Sequence, residues 1–271
     1  MKNLRHAACV LLAAASFLAT PAYATSFSTD QSDLWWIPAE SGWGMQLVQR
    51  GEIIFATIFV YGPTGAPTWY TATLNPTAIS LTWTGTLYAT TGPWFGTVPF
   101  DPASVTLTAV GTMTWNAVNT DLGTVSYTVN GAQVTKNVQR QFIAYDNYSG
   151  IYYGALLGTA AACTIPAADG PFDAFATTTV VQNGQNFNVT IVTSVPAGSV
   201  SVTFTLIGTL TQQGQFGDVV GSYTTSAGES GGFELYEMSV QDNHWTALFS
   251  FTGTNDGCID TGSVGGVRNT E

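Results

Sequence analysis

The sequence predicts an all-β protein built from two consecutive antiparallel meander modules. No segment sustains an apolar period near 3.6, which an amphipathic helix would require. Short runs with a period of two recur instead between Gly, Pro, Asn and Asp residues, about eight before Ile143 and about eight after Gly150. Short consecutive strands favour small up-and-down barrels of the calycin or avidin type, with a β-sandwich as the alternative.

Two runs illustrate the alternation. In residues 105–115 the even positions are threonine except for Val110, and in 199–210 apolar residues again occupy alternate positions. Each run predicts a strand with one buried face. The pairs Asn130-Gly131 and Asn183-Gly184 predict hairpin turns.

The chain divides at the polar segment 144–150, which is typical of a linker. The modules are then 25–145 and 146–271, each of ordinary domain size. The two modules differ in tryptophan content, since only Trp245 lies in the second module. The first module holds the other seven, at positions 35, 36, 43, 69, 83, 94 and 115.

Residues 1–24 have the pattern of a secretory signal peptide. Lys2 and Arg5 precede an apolar stretch over 7–18, and Ala22 and Ala24 form a cleavage signal. No later run reaches the roughly 18 apolar residues that a membrane helix needs. We therefore expect an exported chain, periplasmic or extracellular, without a membrane span.

Charge excludes two classes of partner. Removal of Lys2 and Arg5 leaves four of the six basic residues against 17 acidic ones, a net charge of −13. Nucleic acid would be repelled, because no basic stripe is present to displace its counterions. Anionic lipid surfaces are disfavoured for the same reason.

Cys163 and Cys258 remain after the signal peptide leaves with Cys9. In an oxidising compartment the pair predicts one disulfide. A metal site is the weaker interpretation, because His244 is the one remaining histidine and a tetrahedral site needs four ligands. We expect neither a metal nor a cofactor.

The run Ile53–Tyr61 is apolar on both faces. We expect the other module or a protein partner in the cell envelope to cover it, with Arg50, Glu52 and Pro63 limiting aggregation. Alternation and low charge would also fit an outer-membrane barrel. Threonine at outward positions and the polar end of the chain argue against that alternative, because a lipid-facing band is apolar.

Three motifs resemble parts of known catalytic sites, but each lacks a residue or an arrangement that the site requires. Residues 228–232 resemble the nucleophile segment of trypsin-like proteases, but His244 follows it instead of lying upstream. The loop at Asp260 resembles that of aspartic proteases, yet it occurs once where two are needed. Glycoside hydrolysis needs two carboxylates that reach the same substrate. Glu234 and Glu237 are three apart on a predicted strand, so they point to opposite faces and cannot form such a pair. We expect no enzyme, with an unrecognised hydrolase as the alternative.

The candidate site lies in the first module. Trp36 and Trp43 flank Glu40 in the segment 34–44, and Lys136 and Arg140 occur near the end of the module. A two-residue turn at 130–131 would place both cations on the inward face of the last strand.

An inward cation needs a partner, and Glu40 is the candidate because the first and last strands of a closed barrel are neighbours. These charges either form an ion pair that closes the module or line a barrel mouth for a small polar or anionic ligand. A register slipped by one residue would turn both cations outward instead.

The segment WW-x-PAESGWG at 35–44, the strand IIFATIFVYG at 53–62 and APTWY at 66–70 resemble a family of uncharacterised exported proteins of Gram-negative bacteria. Lys136, Arg140 and Gln141 match the K-x-x-x-RQ strand that ends modules of that family. The resemblance covers roughly 30–142. It implies export and an all-β fold, and it carries no activity.

These observations predict a non-catalytic exported binding module for a small polar, anionic or glycan ligand. A structural or assembly protein of the cell envelope is the alternative, beside the enzyme already mentioned. A glycan requires exposed aromatic rings. Trp83 and Trp115 share parity with apolar neighbours and are predicted to lie in the core, whereas Trp94, beside Gly92 and Pro93, is predicted to be exposed.

Overall fold

The computed structural model describes residues 30–194 and 201–269, so the predicted signal peptide and Val200 lie outside the described residues. The first barrel is formed by β1 to β8. These strands are Asp33–Trp36, Gly44–Arg50, Ile53–Tyr61, Pro67–Pro76, Thr82–Thr91, Thr106–Ala117, Leu122–Val129 and Ala132–Arg140.

The second barrel is formed by β9 to β16. These strands are Gly150–Ala161, Gly170–Asn183, Asn186–Ser194, Thr203–Gln213, Phe216–Thr225, Ser230–Gln241, His244–Gly253 and Ile259–Arg268. Short 3₁₀ turns at Pro38–Glu40, Pro102–Ser104 and Pro166–Ala168 are the helical elements. Within the described ranges, no helix has the length and apolar character to cross a membrane.

Both barrels close on themselves. In each, consecutive strands pair antiparallel, and the first strand also pairs with the last, as β1 does with β8 and β9 with β16. The predicted all-β fold of two eight-stranded meanders is therefore confirmed, and the sandwich alternative is wrong.

The hairpin turns set the register. Asn130 and Gly131 have φ of 49° and 89° and join Val129 to its partner Ala132. Positive φ at both central residues matches the right-handed twist of the strands they connect. In the second barrel Asn183 itself pairs with Asn186, so that turn is Gly184-Gln185, one residue later than the sequence suggested.

Side chains fill the interior of the first barrel. Trp35 and Trp115 are fully buried, with ring centroids 4.6 Å apart, and Trp83 is 4% exposed. The indole N–H groups of Trp35 and Trp115 donate to the backbone and side-chain oxygens of Gln31. The predicted core positions of Trp83 and Trp115 are thus confirmed.

The second barrel also has a packed interior. Tyr148 and Tyr152 are buried, and their hydroxyls donate to the carbonyls of Met238 and Tyr148, at 3.1 and 2.8 Å. Partnered hydroxyls let these large rings enter an apolar core. The interior of each barrel is therefore filled by side chains.

The alternation predicted for residues 105–115 holds only in the second half of β6. Met113 and Trp115 are buried, but Leu107 is 59% exposed. Gly111 pairs with Leu87 and Ala109 with Tyr88, so the ladder skips Val110, which turns inward against the core. This is a β-bulge, and a Cβ on Gly111 would collide with the carbonyl of Thr128.

The disulfide between Cys163 and Cys258 is present. It joins the connection after β9 to the connection before β16, across 95 residues. Both connections lie at the end of the second barrel that is farther from the first barrel. The predicted pairing of the two cysteines is confirmed.

Strand β3 exposes one of its two apolar faces. Ile54, Ala56 and Ile58 are fully buried. The second barrel does not cover the opposite face, so that part of the expectation is wrong. The outward residues are Ile53, Phe55, Phe59 and Tyr61, which are 47% to 61% exposed.

Candidate functional site

The two inward cations of β8 lie toward opposite ends of the first barrel. Lys136 and Arg140 are four residues apart, about 13 Å along a strand. Arg140 is at the end that meets the second barrel. Lys136 is toward the distal end, which we define by the segment 37–43 and the connections 62–66, 92–105 and 130–131.

At the distal end, Lys136 pairs with Glu40. Its Nζ donates to both carboxylate oxygens at 2.8 Å, and Trp43 Nε1 donates to Oε2 at 3.1 Å. The hydrogen bonds from Lys136 and Trp43 lower the pKa of Glu40 below its usual range. The side chains of Lys136 and Glu40 are 34% and 42% exposed, so solvent reaches this pair.

Two tyrosines share this end with the ion pair. Tyr70 and Tyr127 are half-buried and pack, like Trp43, against the core of the first barrel. Burial raises the pKa of Tyr127, with smaller effects from Tyr70 and Glu40. The distal end therefore combines a salt bridge with three amphipathic aromatic side chains.

The outer wall of the first barrel carries an aromatic face along β3 and β4, formed by Phe55, Phe59, Tyr61 and Trp69. Phe59 and Trp69 lie directly opposite each other on β3 and β4, and each is about half exposed. Trp69 has the outward parity of β4, since Tyr70, Ala72 and Leu74 point inward. The same parity is visible in the sequence, but it was not used to place Trp69.

Trp94 and Phe95 are exposed on the distal connection between β5 and β6. They are 69% and 87% exposed, with ring centroids 5.4 Å apart. The expected exposure of Trp94 is confirmed. Exposed aromatic side chains on one end of a domain commonly mark an interaction site.

Arg140 does not pair with Glu40, and this corrects the sequence-based expectation. It is fully buried, and its Nη1 bonds Asp33 Oδ2 at 3.0 Å. Its other hydrogen bonds go to backbone carbonyls of Asp30, Ser32 and Thr120, at 2.6 to 3.0 Å. Glu40 is out of reach because Arg140 pairs with Trp35, five residues before Glu40, and β1 ends at Trp36.

The second barrel completes the surroundings of Arg140. Its guanidinium lies between the rings of Trp35 and Phe216, 4.6 and 4.9 Å from their centroids. The backbone N–H of Gln215 donates to Asp33 Oδ2 at 2.8 Å. Arg140 thus joins the two barrels, and its hydrogen bonds leave it unsuited to hold a ligand.

Gly214 permits this junction. It has φ of +58°, and a Cβ there would lie 2.6 Å from Asp33 Cγ and 3.1 Å from Arg140 Cβ. A second link joins Thr120 Oγ1 to Glu237 Oε1 at 2.8 Å. Glu237 itself has φ of +51° at a register shift in β14, so a strained bulge reaches toward the first barrel.

Acidic groups crowd the junction and predict a pH dependence. Burial raises the pKa of Asp121 to about 6, reinforced by Asp218, Glu237 and Asp33 and opposed by Arg140. Between the ordinary carboxyl value near 4 and about 6, the folded chain binds more protons than the unfolded one. The free energy of unfolding should therefore fall as the pH rises through this window and level off above it.

Thermal unfolding followed by circular dichroism from pH 4 to pH 8 measures this dependence. We expect a higher midpoint at pH 5 than at pH 7.5. Asp121→Asn keeps the shape of the side chain without its charge, so it should flatten the profile. A profile equally steep in the variant would show that other groups cause the dependence.

The segment that resembles a serine-protease nucleophile is not assembled with a histidine. Ser230 begins β14 and His244 begins β15, so they lie at opposite ends of one hairpin, roughly 30 Å apart. Ser230 Oγ is 3.0 Å from Thr254 Oγ1 instead. Among residues 30–194 and 201–269, no group of three or more His, Cys, Asp or Glu side chains could hold a metal ion.

Fold and site together define an all-β protein of two closed eight-stranded barrels, with exposed aromatic rings and a salt bridge at one end. Comparison with family models, curated proteins and solved structures finds no match for this chain.

Proposed function

We propose that this protein is an exported, non-catalytic module that binds a neutral glycan at the distal end of the first barrel. The observation that carries the proposal is the half-exposed pair of Trp69 and Phe59, directly opposite each other on the outer wall of the first barrel toward its distal end. The family resemblance of residues 30–142 is consistent with export and does not choose a ligand.

Aromatic rings held half-exposed on a rigid sheet suit sugar rings, whose C–H faces pack on them. Trp69 and Phe59 are adjacent across two strands, and Tyr61 continues the same face. Glu40 and Lys136, at the distal end of the same barrel, carry a further acceptor and donor for hydroxyl groups. A rigid apolar surface with a few polar groups is the usual composition of a ligand site.

A small anion is a weaker ligand for this site. Lys136 is already neutralised by Glu40, and Arg140 is buried at the junction. The net charge of −13 on the chain without residues 1–24 would also repel anionic polysaccharides. These charges favour an uncharged glycan.

Trp69→Ala is expected to weaken binding at least about tenfold by removing the central stacking surface. Binding of soluble cello-, chito- and malto-oligosaccharides would be screened by thermal shift and measured by calorimetry. Phe175→Ala is the matched control, because Phe175 is an exposed aromatic residue on the second barrel. Equal affinity in both variants, or no binding by the wild type, would contradict the proposal.

A second candidate is an assembly protein of the cell envelope. The observation that favours it is the apolar part of the same wall, where Val48 pairs with Phe55 next to Ile53 and all three are 40% to 47% exposed. This candidate predicts self-association, measured by analytical ultracentrifugation, that Phe55→Ser abolishes. A monomer at high concentration would count against it.

A further inference from the structure

We infer that the seam between β1 and β8 accepts an extended polypeptide segment of a partner protein as an added strand. This site is separate from the proposed glycan surface on β3 and β4. Strand β1 has four residues and β8 has nine, and only Trp35 with Arg140 and Trp36 with Gln139 are paired between them. The barrel is thus closed over less than half of β8.

The unpaired part of β8 directs backbone groups into the seam, toward β1. Gln141 N donates to Leu34 O at 2.8 Å, so the odd-numbered residues at the end of β8 direct their backbone groups toward β1. Because this direction alternates along a strand, Asn137, Thr135 and Gln133 share it. Within the described chain no strand pairs with them on that side, and all three are exposed.

A groove of about 380 Å³ lies where β1 leaves β8. Its apolar lining includes Trp36, Ile37, Pro38 and Leu122, and Asn137 of the open edge also borders it. The indole Nε1 of Trp36 is buried and has no hydrogen-bond partner. A buried donor without an acceptor is rare in folded proteins, and a carbonyl of a bound segment would satisfy it.

The chemistry of the seam selects a polypeptide. Alternate residues of β8 offer an N–H and a C=O together, repeated about every 6.6 Å, and an extended backbone matches this repeat. Main-chain hydrogen bonds supply affinity in such strand addition, and side-chain pockets supply specificity. The groove lining carries no charged residue, so the segment that fits is uncharged and has apolar side chains at alternate positions.

The Glu40–Lys136 salt bridge spans the seam. Glu40, in the segment after β1, reaches Lys136 through side chains alone, on the inward side of β8. Among the described residues, no backbone hydrogen bond joins segment 37–43 to residues 133–137, so the edge groups of β8 are left for an added strand.

Selection of linear nonapeptides from a displayed library, on the full exported chain, tests the inference. Thr135→Pro removes the central N–H of the open edge and should weaken the selected peptides at least about tenfold. Thr135→Val loses the same hydroxyl contact to Ser126 but keeps the N–H, so it should bind normally. Trp36→Phe should also weaken binding, because it keeps a ring and loses the indole donor.

Backbone methylation of a selected peptide gives a readout specific to strand addition. N-methyl groups at every second residue should abolish binding in one register and leave it unchanged in the other. Trp69→Ala should have no effect, which separates this site from the glycan surface. Failure to select peptides, binding that ignores both Thr135→Pro and methylation, or dimerisation through this edge would overturn the inference.

Discussion

Arg140→Ala is expected to lower the free energy of unfolding by about 3–5 kcal/mol, the largest effect of any single substitution proposed for this chain. The guanidinium bonds the carboxylate of Asp33 and three backbone carbonyls, and it lies between the rings of Trp35 and Phe216. Its removal takes the cation from the Asp33 carboxylate and the donor from the Thr120 carbonyl. Gln215 still donates to Asp33 Oδ2 and to the Ser32 carbonyl. It also removes one of the contacts that join the two barrels.

Urea denaturation measures the loss, and tryptophan fluorescence follows the first barrel because seven of the eight tryptophans lie there. Lys136→Ala is the matched control, since it removes the other inward cation of β8 from a half-exposed pair. Exposed pairs contribute little, so this variant should unfold near the wild type. Equal denaturation midpoints for the two variants would contradict the role assigned to Arg140.

The junction can also be tested from the second barrel. Gly214→Ala adds a methyl group that would meet Asp33 and Arg140. We expect it to weaken the junction so that the two barrels unfold in separate transitions, because Gly214 lies in the turn between β12 and β13 and its φ of +58° also disfavours alanine. A single transition with an unchanged midpoint would show that the turn moves aside freely.

Removing the disulfide is expected to have the second largest effect. Replacement of both Cys163 and Cys258 by alanine should cost about 2–5 kcal/mol, because the bond closes a long loop in the unfolded chain. The loop spans 95 residues and includes most of the strands of the second barrel. The loss should therefore appear in that barrel.

Differential scanning calorimetry with and without dithiothreitol measures this loss. The reductant should lower the unfolding temperature of the wild type and leave the double variant unchanged. An effect of reductant on the variant would point to some other cause. Unfolding of the wild type at the same temperature under both conditions would contradict the expected contribution.

The sequence predicted the strands and one register well because these depend on local patterns. Period-two alternation and the turn at Asn130-Gly131 place Val125 opposite Lys136, as observed. The bulge in β6 had a weaker signal, the off-parity Val110 among threonines, and single exceptions of this kind are easily averaged away. Trp69 was overlooked although its alternation with Tyr70 and Ala72 was equally local.

The partner of Arg140 could not be found in the same way. Parity showed that the side chain points inward, but Asp33 and Phe216 come from distant parts of the chain. The contact between a turn of one barrel and the end of the other depends on how the two surfaces fit together. The alternation of residues along a strand does not predict such a contact. The expected neighbourhood of the first and last strands suggested Glu40, but the chain after β1 runs along β8 away from Arg140, which places Glu40 beside Lys136.

The junction also determines how the protein can be held in an experiment. Asp30 bonds Arg140 through its carbonyl, and Arg268 donates to the carbonyl of Asn147 in the connection between the barrels. The first and the last described residues therefore both lie at the junction between the two barrels. A tether attached near residue 30 or residue 269 would hold the protein at this junction. The distal end of the first barrel would then face solution, which suits surface-based binding measurements.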